Sequence, residues 1–358
     1  MIFLFIAVLC LIIIGILYLI PGFTLPIKDK KGHSLKGSIA SLEKINLGGQ
    51  KQWILIRGVD TTKPVILFLH GGPGTSDLGL LRKHTSELEK HFVVVSWDQR
   101  GAGKSFAARD PKSSMNINQF ISDAHELTEK LCHRFNQKKI FLVGHSWGSV
   151  IGVLTVHKYP DLFHAYIGIG QIANMKENEK LSYEWTLEQA EKANDKRTAK
   201  KLIDMGKPPY TGDWQNKFMT HRRFLGKYGG ELYGSSKGAF PIVLSCLIRS
   251  TEYSIPDKVN FFRGIFASVK LLWQELLTIN LNELAPHLEV PVYFLLGKHD
   301  YEGVFILAEQ YFKILKAPKK ELIWFENSAH LAIVEENTKF IDQLINHILP
   351  TYNVQSSV

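Results

Sequence analysis

The segment Gly144-His145-Ser146-Trp147-Gly148 has the residue types and the spacing of a serine nucleophile on a tight turn. It follows the apolar run Ile140–Val143, which predicts a strand, and it precedes a run from Val150 that predicts a helix. A serine on such a turn adopts costly backbone angles, and glycine neighbours keep the chain and the helix from colliding. The next amide and the helix N-terminus then face any negative charge that develops. We therefore predict that Ser146 is a catalytic nucleophile.

A serine nucleophile needs a general base, and the base needs a carboxylate that orients it. Asp300 comes shortly after the apolar run Val292–Leu296, and His330 comes shortly after the run Leu322–Phe325. The chain order serine, acid, histidine, with the last two after late strands, is typical of doubly wound hydrolases. We predict that Asp300 and His330 complete a catalytic triad with Ser146.

An oxyanion hole requires two N–H donors that point to one position. We predict Trp147 as one donor, because it follows the nucleophile directly. The loop His70-Gly71-Gly72-Pro73-Gly74 follows the apolar run Val65–Leu69, and its glycines let the backbone approach a substrate carbonyl closely. We predict Gly72 as the second donor and expect His70 to hydrogen-bond within its own loop. Loss of one such donor typically costs about 3–4 kcal/mol of barrier.

These residues predict acyl transfer through an acyl-enzyme, a reaction for which we expect neither a cofactor nor a metal. The cysteines Cys10, Cys132 and Cys246 lie far apart and have no metal-ligand spacing. The segment Gly101-Ala102-Gly103-Lys104-Ser105 resembles the end of a phosphate-binding P-loop, but Asp98 stands where that motif requires glycine. We therefore do not expect a nucleotide site here.

The chain has 358 residues, of which 45% are hydrophobic, and a formal net charge of +9. This composition suits one large or two ordinary domains and excludes a disordered chain or a disulfide scaffold. Basic residues are mixed with acidic ones even in the densest run, Lys192 to Lys201, so we expect no nucleic-acid partner. The expected partner is a small-molecule or short-peptide substrate, and the sequence leaves the oligomeric state open.

Short β-branched runs alternate with amphipathic helical stretches, a pattern that predicts a mostly parallel sheet covered on both faces. From residue 174 to residue 286 strand signals vanish, which predicts a helical insertion between the sixth and seventh strands. The eight predicted strands are Ser38–Asn46, Gln52–Ile56, Val65–Leu69, Phe92–Trp97, Lys139–Val143, Ala165–Ile169, Val292–Leu296 and Leu322–Phe325.

The first twenty residues are almost entirely apolar, and no charge occurs from Ile2 to Ile20. At 1.5 Å per residue such a helix spans roughly 28 Å, about the thickness of a hydrocarbon core. A cleavable signal peptide would have a basic start and a shorter apolar stretch. We therefore predict an uncleaved single-pass transmembrane helix as a membrane anchor. Basic residues from Lys28 onward favour a cytoplasmic catalytic domain.

Several motifs together resemble the alpha/beta-hydrolase superfamily, and most closely its proline iminopeptidase branch. The resemblance is strong over residues 50–170 and moderate over residues 288–345. It implies an α/β-hydrolase fold with a helical cap, and catalytic roles for Ser146, Asp300 and His330. The motifs are residues 70–74 (HGGPG), residues 97–105 (WDQRGAGKS), residues 144–149 (GHSWGS), Gly297-x-x-Asp300 and Ala329-His330.

The apolar first twenty residues and the resemblance together suggest a division of the chain. We expect a transmembrane anchor at residues 1–21, a hydrolase core formed by residues 22–173 and 288–358, and a helical cap at residues 174–287. Peptidases of this branch hold the free amino terminus of the substrate with cap carboxylates. Their Trp-x-x-Trp-Glu pattern is missing here, so we name Glu184 and Glu188 as candidates on chemistry alone, because a buried ammonium needs a paired carboxylate.

Three functions remain open from the sequence. The leading one is a proline iminopeptidase-like aminopeptidase that releases an N-terminal residue from short peptides. The second is a carboxylesterase or lipase-like enzyme, which an apolar cap without a carboxylate would favour. The third is a non-catalytic binding protein on the same fold, although such proteins normally lack a triad member.

Overall fold

Eight strands form one sheet in the computed structural model, which describes residues 19–355. The strands are β1 (Ile39–Leu47), β2 (Gln50–Gly58), β3 (Val65–Leu69), β4 (Val93–Asp98), β5 (Ile140–His145), β6 (Phe163–Ile169), β7 (Val292–Gly297) and β8 (Lys320–Phe325). Their order is β1-β2-β4-β3-β5-β6-β7-β8, and only β2 pairs antiparallel, with both β1 and β4. All eight predicted strands are present within two residues of their predicted ends, which confirms the mostly parallel α/β-hydrolase sheet.

The helices follow the strands along the chain, as the alternating pattern predicts. They are α1 (Leu78–His84), α2 (Ile117–Arg134), α3 (Trp147–Lys158), α4 (Met175–Lys192), α5 (Lys196–Met205), α6 (Trp214–Lys227), α7 (Phe240–Arg249), α8 (Ile255–Leu276), α9 (Leu281–Leu284), α10 (Phe305–Ile314), α11 (Ala332–Glu335), α12 (Asn337–Asp342) and α13 (Leu349–Gln355). A π-helical turn, Gln343–Ile348, joins the last two.

The sheet is buried on both faces, because alternate side chains of each central strand point in opposite directions. In β3, Leu67 packs into a cluster with side chains of α2 and α3. Its neighbours Ile66 and Phe68 pack into a second cluster on the other face, with Leu81 of α1 and Phe340 of α12. Fully apolar strands such as β3 therefore occupy the centre, where neither face meets water.

The six helices α4 to α9 lie between β6 and β7, in the stretch where the sequence predicts a helical insertion. Helix α8 packs against the loops that follow β3 and β4, and Gly264 in this helix lies close to the backbone of Gly74 and Gly101. Two polar contacts reinforce the packing: Lys104 pairs with Asp257, and the Ile117 amide donates to Glu275. The division into a core of residues 22–173 and 288–358 and a cap of residues 174–287 stays a proposal.

A buried ion pair fixes the turn that follows β4. The Arg100 guanidinium donates two hydrogen bonds to the carboxylate of Asp123 in α2, at 2.9 and 3.1 Å, and both side chains are fully buried. The remaining N–H groups of Arg100 reach the carbonyls of Leu47 and Ala108. One arginine thus ties β1, α2 and the loop after β4 together.

The prediction of a membrane anchor is corrected. Among the residues that the structure describes, no helix combines the length and the apolar character needed to cross a membrane. Residues 1–18 of the predicted anchor lie outside the described residues. The membrane as a partner, and the cytoplasmic orientation inferred from it, are withdrawn with the anchor. The described N-terminal segment packs against the protein: the Phe23 amide donates to Thr251 and the Thr24 hydroxyl to Glu252.

We predict that Arg100→Met lowers the free energy of unfolding by about 3–5 kcal/mol, because it leaves the Asp123 charge buried without its partner. Urea denaturation followed by circular dichroism measures the change. The control is Lys200→Ala, which removes one member of an exposed ion pair with Asp204 and should change stability little. A loss no larger in Arg100→Met than in the control would contradict the structural role of this pair.

Candidate active site

Ser146 occupies the sharp turn between β5 and α3, with φ 55° and ψ −120°. A positive φ is unfavourable for a residue with a side chain, so surrounding contacts must hold it. Its backbone N–H donates to the Ile169 carbonyl at 3.0 Å, and its carbonyl accepts from the Ser149 hydroxyl at 2.6 Å. The strained turn leaves the Ser146 side chain in the wall of a cavity above the sheet edge.

The two glycines of the turn are required by close backbone contacts. A Cβ atom on Gly144 would lie 2.5 Å from the Gly148 carbonyl oxygen. A Cβ atom on Gly148 would lie 2.1 Å from the carbonyl oxygen of Leu69 at the end of β3. Strand and helix therefore approach each other too closely for side chains at Gly144 and Gly148, which is the reason expected for the G-x-S-x-G spacing.

Asp300 and His330 form a buried hydrogen-bonded pair. His330 Nδ1–H donates to Asp300 Oδ2 at 2.8 Å. The other carboxylate oxygen, Oδ1, accepts the amides of Glu302 at 3.0 Å and Gly303 at 2.7 Å. These amides fix the carboxylate, which in turn fixes the ring orientation and leaves Nε2 as the nitrogen available for proton transfer.

Negative charge surrounds the imidazole of His330. Burial alone lowers its pKa, but the charges of Asp300, Glu302 and Glu231 and the hydrogen bond to Asp300 raise the pKa to about 9. His145, whose ring centre is 4.9 Å away, stays neutral, because burial above all lowers its pKa to about 3. It donates from Nε2 to the His330 carbonyl at 3.0 Å and so supports the backbone of the predicted base.

Nε2 of His330 is buried and has no hydrogen-bond partner among the described residues. The bond from the Ser146 hydroxyl to this atom is therefore not formed in this structure, although both side chains line the same cavity. Such contacts are often long in ligand-free enzymes and tighten when substrate binds. The structure brings Ser146, Asp300 and His330 to one site, with Nε2 as the open position.

The loop that carries the predicted oxyanion donor Gly72 lines the same cavity. Gly71 and Gly72 line the cavity beside Ser146, and a Cβ atom on Gly71 would lie 3.2 Å from the Ser146 Cβ. Gly72 has φ +119°, a conformation that favours glycine. Trp147 begins α3, so its amide belongs to the helix N-terminus. The backbone of both predicted donors is thus next to the serine.

His70 hydrogen-bonds locally, as expected from the sequence. Its Nδ1–H donates to the Gly71 carbonyl at 2.8 Å, and its Nε2 accepts the Gln99 amide at 3.1 Å. Burial lowers the pKa of His70 to about 4, so the ring is neutral. It therefore stiffens the loop that carries Gly72.

The cavity above Ser146 has a volume of about 250 Å³ and is lined in part by residues of α6, α7 and α8. Most of its wall is apolar. Besides His145 and His330, the wall contains three carboxyl groups and one guanidinium. The apolar lining includes Leu80, Phe218, Val243, Leu247, Phe261 and Val269, and the four charged-type side chains are Asp77, Arg222, Glu231 and Glu302.

Glu231 and Glu302 form an acidic region of the cavity wall close to His330. Glu302 lies two residues after Asp300 and pairs with Arg222 at 3.7 Å. The same guanidinium also pairs with the buried carboxylate of Glu179. Burial, and next to it the charge of Glu302, raises the pKa of Glu231 to about 7. The Arg222 guanidinium is thus shared by Glu302 and Glu179, and among the described residues Glu231 forms no ion pair with it.

The structure places the candidates Glu184 and Glu188 elsewhere. Glu184 pairs with Lys207 and Glu188 with Lys192, and both carboxylates face solvent, with 39% and 55% of the side chain exposed. Neither lines the cavity. The reason is their position on α4, whose buried face is formed by other residues such as Tyr183.

Sequence reasoning missed both acidic residues of the cavity. Glu302 could have been found, because it lies in the same strand-end loop as Asp300. Glu231 has no local signal, since it stands in a glycine-rich loop that the fold alone brings to His330. Among residues 19–355 there is no group of three or more His, Cys, Asp or Glu side chains that could hold a metal ion.

The chain is similar to known proteins of the alpha/beta-hydrolase fold. A family model described as alpha/beta hydrolase fold matches residues 64–202. A probable aminopeptidase of Bacillus subtilis, YbaC, is 35% identical to the chain over 312 residues, which cover 87% of the chain and 97% of the relative.

Two further proteins extend the comparison. A proline iminopeptidase of Saccharolobus solfataricus is 27% identical over 81% of the chain and 86% of its own length. The crystal structure of a proline iminopeptidase of Mycobacterium smegmatis superposes with a TM-score of 0.63 and covers 88% of the chain and 100% of that structure. At 17% identity, this likeness concerns the fold alone. The chain belongs to the alpha/beta-hydrolase superfamily, in its proline iminopeptidase-like branch, and is an enzyme, a serine hydrolase of aminopeptidase type.

Proposed function

We propose that the enzyme releases the N-terminal residue from short peptides, with Ser146, Asp300 and His330 as a catalytic triad. The observation that carries this proposal is the acidic region formed by Glu231 and Glu302, which lines the same cavity as Ser146 and His330. The aminopeptidase and proline iminopeptidases among the relatives support the same class of substrate.

The proposed reaction is acyl transfer through the serine. The Ser146 oxygen attacks the carbonyl carbon of the first peptide bond, while its proton passes to His330 Nε2. The amides of Gly72 and Trp147 stabilise the oxyanion. The C–N bond then breaks, and the leaving amine takes the proton from His330. Water hydrolyses the resulting ester by the same base, which releases the N-terminal residue and restores the serine.

The proposed substrate specificity follows from charge. A substrate ammonium loses its hydration in an apolar cavity, so it needs a carboxylate partner there. Glu231 is the better candidate, because the Arg222 guanidinium already pairs with Glu302. Its Oε2 accepts the Ala239 amide at 3.0 Å, which orients the carboxylate. In the proposed complex the free amino group of the substrate binds to Glu231, with Glu302 adding negative charge.

An ester hydrolase is the second candidate. The apolar wall formed by residues such as Leu247, Phe261 and Val269 suits a hydrocarbon group of an ester substrate. A neutral ester would, however, bring no positive charge to the buried carboxyl group of Glu231, whose hydrogen bond is to the Ala239 amide. The acidic region therefore favours a substrate with a free amine, and the presence of all three triad residues disfavours a non-catalytic binding protein.

We predict that Ser146→Ala lowers turnover of a prolyl-arylamide on the order of 10⁶-fold, because triad members act as a unit. The variant should fold as the wild type does, since it loses a single oxygen atom in the cavity wall. Steady-state kinetics give the turnover, and circular dichroism with thermal unfolding gives the fold. Turnover within tenfold of the wild type would exclude Ser146 as the nucleophile.

We predict that the rate at which a fluorophosphonate labels Ser146 increases with pH, reaches half of its maximum near pH 9 and levels off above that pH. The base accepts the serine proton only when it is neutral, and the pKa of His330 is raised to about 9. The probe has no amine, so its rate reports the base without titration of a substrate. Hydrolysis of the probe in buffer alone is the control. A rate that has already levelled off near neutral pH would contradict the raised pKa.

We predict that Glu231→Gln lowers kcat/KM for a prolyl-arylamide with a free amine by about 10- to 100-fold, the effect of losing one charge-assisted hydrogen bond. Turnover of a short-chain aryl ester should change far less. The labelling profile should also move to lower pH, because one negative charge beside His330 is removed.

The matched control for this prediction is Glu184→Gln, since Glu184 is a cap carboxylate that faces solvent. It should leave both substrates and the labelling profile unchanged. Equal losses on the amide and the ester in Glu231→Gln would argue against amine recognition by this residue.

A further inference from the structure

Glu335, the last residue of α11, binds backbone amides on both sides of His330. Its Oε2 accepts the Leu331 amide at 3.0 Å, and both of its oxygens accept the Ala329 amide, at 3.0 and 3.1 Å. Its Oε1 also accepts the Tyr233 amide at 2.6 Å. One partly buried carboxylate therefore satisfies three N–H donors from two separate segments of the chain.

The second segment is the cap loop, residues 229–239 between α6 and α7. The His330 amide donates to the Glu231 carbonyl at 3.1 Å, and the Tyr301 amide donates to the Gly230 carbonyl at 3.0 Å. The cap loop is thus hydrogen-bonded to the loops that carry His330 and Asp300. The same loop carries the Glu231 side chain, so its position sets the distance between the acidic region and the base.

We propose that Glu335 is a positioning residue that holds the cap loop and the base loop, residues 326–331, in one fixed arrangement. The proposal rests on the proposed function, because it concerns the spacing between His330 and Glu231. Glu335 is not in the cavity wall, so it reaches a substrate only through the backbone it binds. Without its carboxylate three amides lose their acceptor, and charge-assisted hydrogen bonds of this kind are stronger than neutral ones.

Neighbouring Glu336 provides a matched comparison. Its Oε2 accepts the Asn327 amide at 2.9 Å and the Ser328 hydroxyl at 2.8 Å, so it also stabilises the base loop. It makes no such bond to the cap loop. A variant of Glu336 therefore tests general loop stability, whereas a variant of Glu335 tests the link between the base loop and the cap loop.

The experiment compares Glu335→Ala, Glu335→Gln and Glu336→Gln in the full chain. The rate of fluorophosphonate labelling reports the reactivity of Ser146 and its base, because the probe has no amine. The kcat/KM for a free-amine prolyl-arylamide depends on the same base and also on amine binding by the acidic region. Thermal unfolding and titration of labelled protein give the stability and the active fraction. Rates are expressed per active site, so loss of folded protein does not count as loss of positioning.

For Glu335→Ala we expect a labelling rate about tenfold lower and a labelling profile at lower pH, because His330 moves away from the carboxylates that raise its pKa. The kcat/KM for the amide should fall further than the labelling rate. Glu335→Gln should recover part of both, since its single oxygen still accepts amides of the base loop. If Glu335→Ala folds poorly, the comparison of Glu335→Gln with the wild type provides the test. Glu336→Gln should leave unchanged the pH profile of labelling and the ratio of kcat/KM for the amide to the labelling rate.

An unchanged profile with unchanged rates per active site in both Glu335 variants would overturn the proposal, as would an equal shift in Glu336→Gln. Failure of the proposed function itself is distinguishable. In that case the wild-type enzyme would not process the free-amine amide, or the fluorophosphonate would label a residue other than Ser146.

Discussion

The 2.8 Å hydrogen bond between His330 and Asp300 is the interaction on which the site depends. It joins the loops that follow β7 and β8, and parallel pairing of these strands places both loops at one sheet edge. Because the pair is buried, little solvent screens its charges. Nearby charged groups therefore have a strong effect on the proton affinity of His330. Each further carboxyl group near the pair therefore changes the proton affinity of the base as well as the charge of the cavity.

Glu231 affects both the proton affinity of His330 and the charge of the cavity. Its carboxyl group supplies negative charge for an ammonium group, and the same charge raises the pKa of His330. A bound ammonium offsets this charge, so binding of the proposed substrate lowers the proton affinity of the base and favours its neutral form. In the proposed complex, substrate binding and activation of the base are thus electrostatically coupled through one side chain on the cap loop.

The sheet, and the placement of Ser146, Asp300 and His330 at one site, could be predicted because their signals are local. Ser146 stands between glycines that backbone contacts demand, and Asp300 follows an apolar strand with the expected spacing. Glu231 could not be predicted, since only the folded path of the cap loop brings it to the base. Glu184 and Glu188 have the right chemistry but lie on the solvent-facing side of α4, which residue type alone does not reveal. The anchor prediction relied on composition alone, and no helix among the described residues supports a membrane span.

The most direct test of amine recognition at this site compares three substrates with the wild-type enzyme: a prolyl-arylamide with a free amine, the same compound N-acylated, and a short-chain aryl ester. We expect turnover of the free-amine amide and a large loss of kcat/KM on acylation, because acylation removes the positive charge that the acidic region binds. Equal turnover of the two amides, or turnover of the ester alone, would contradict recognition of a substrate amine by Glu231 and Glu302.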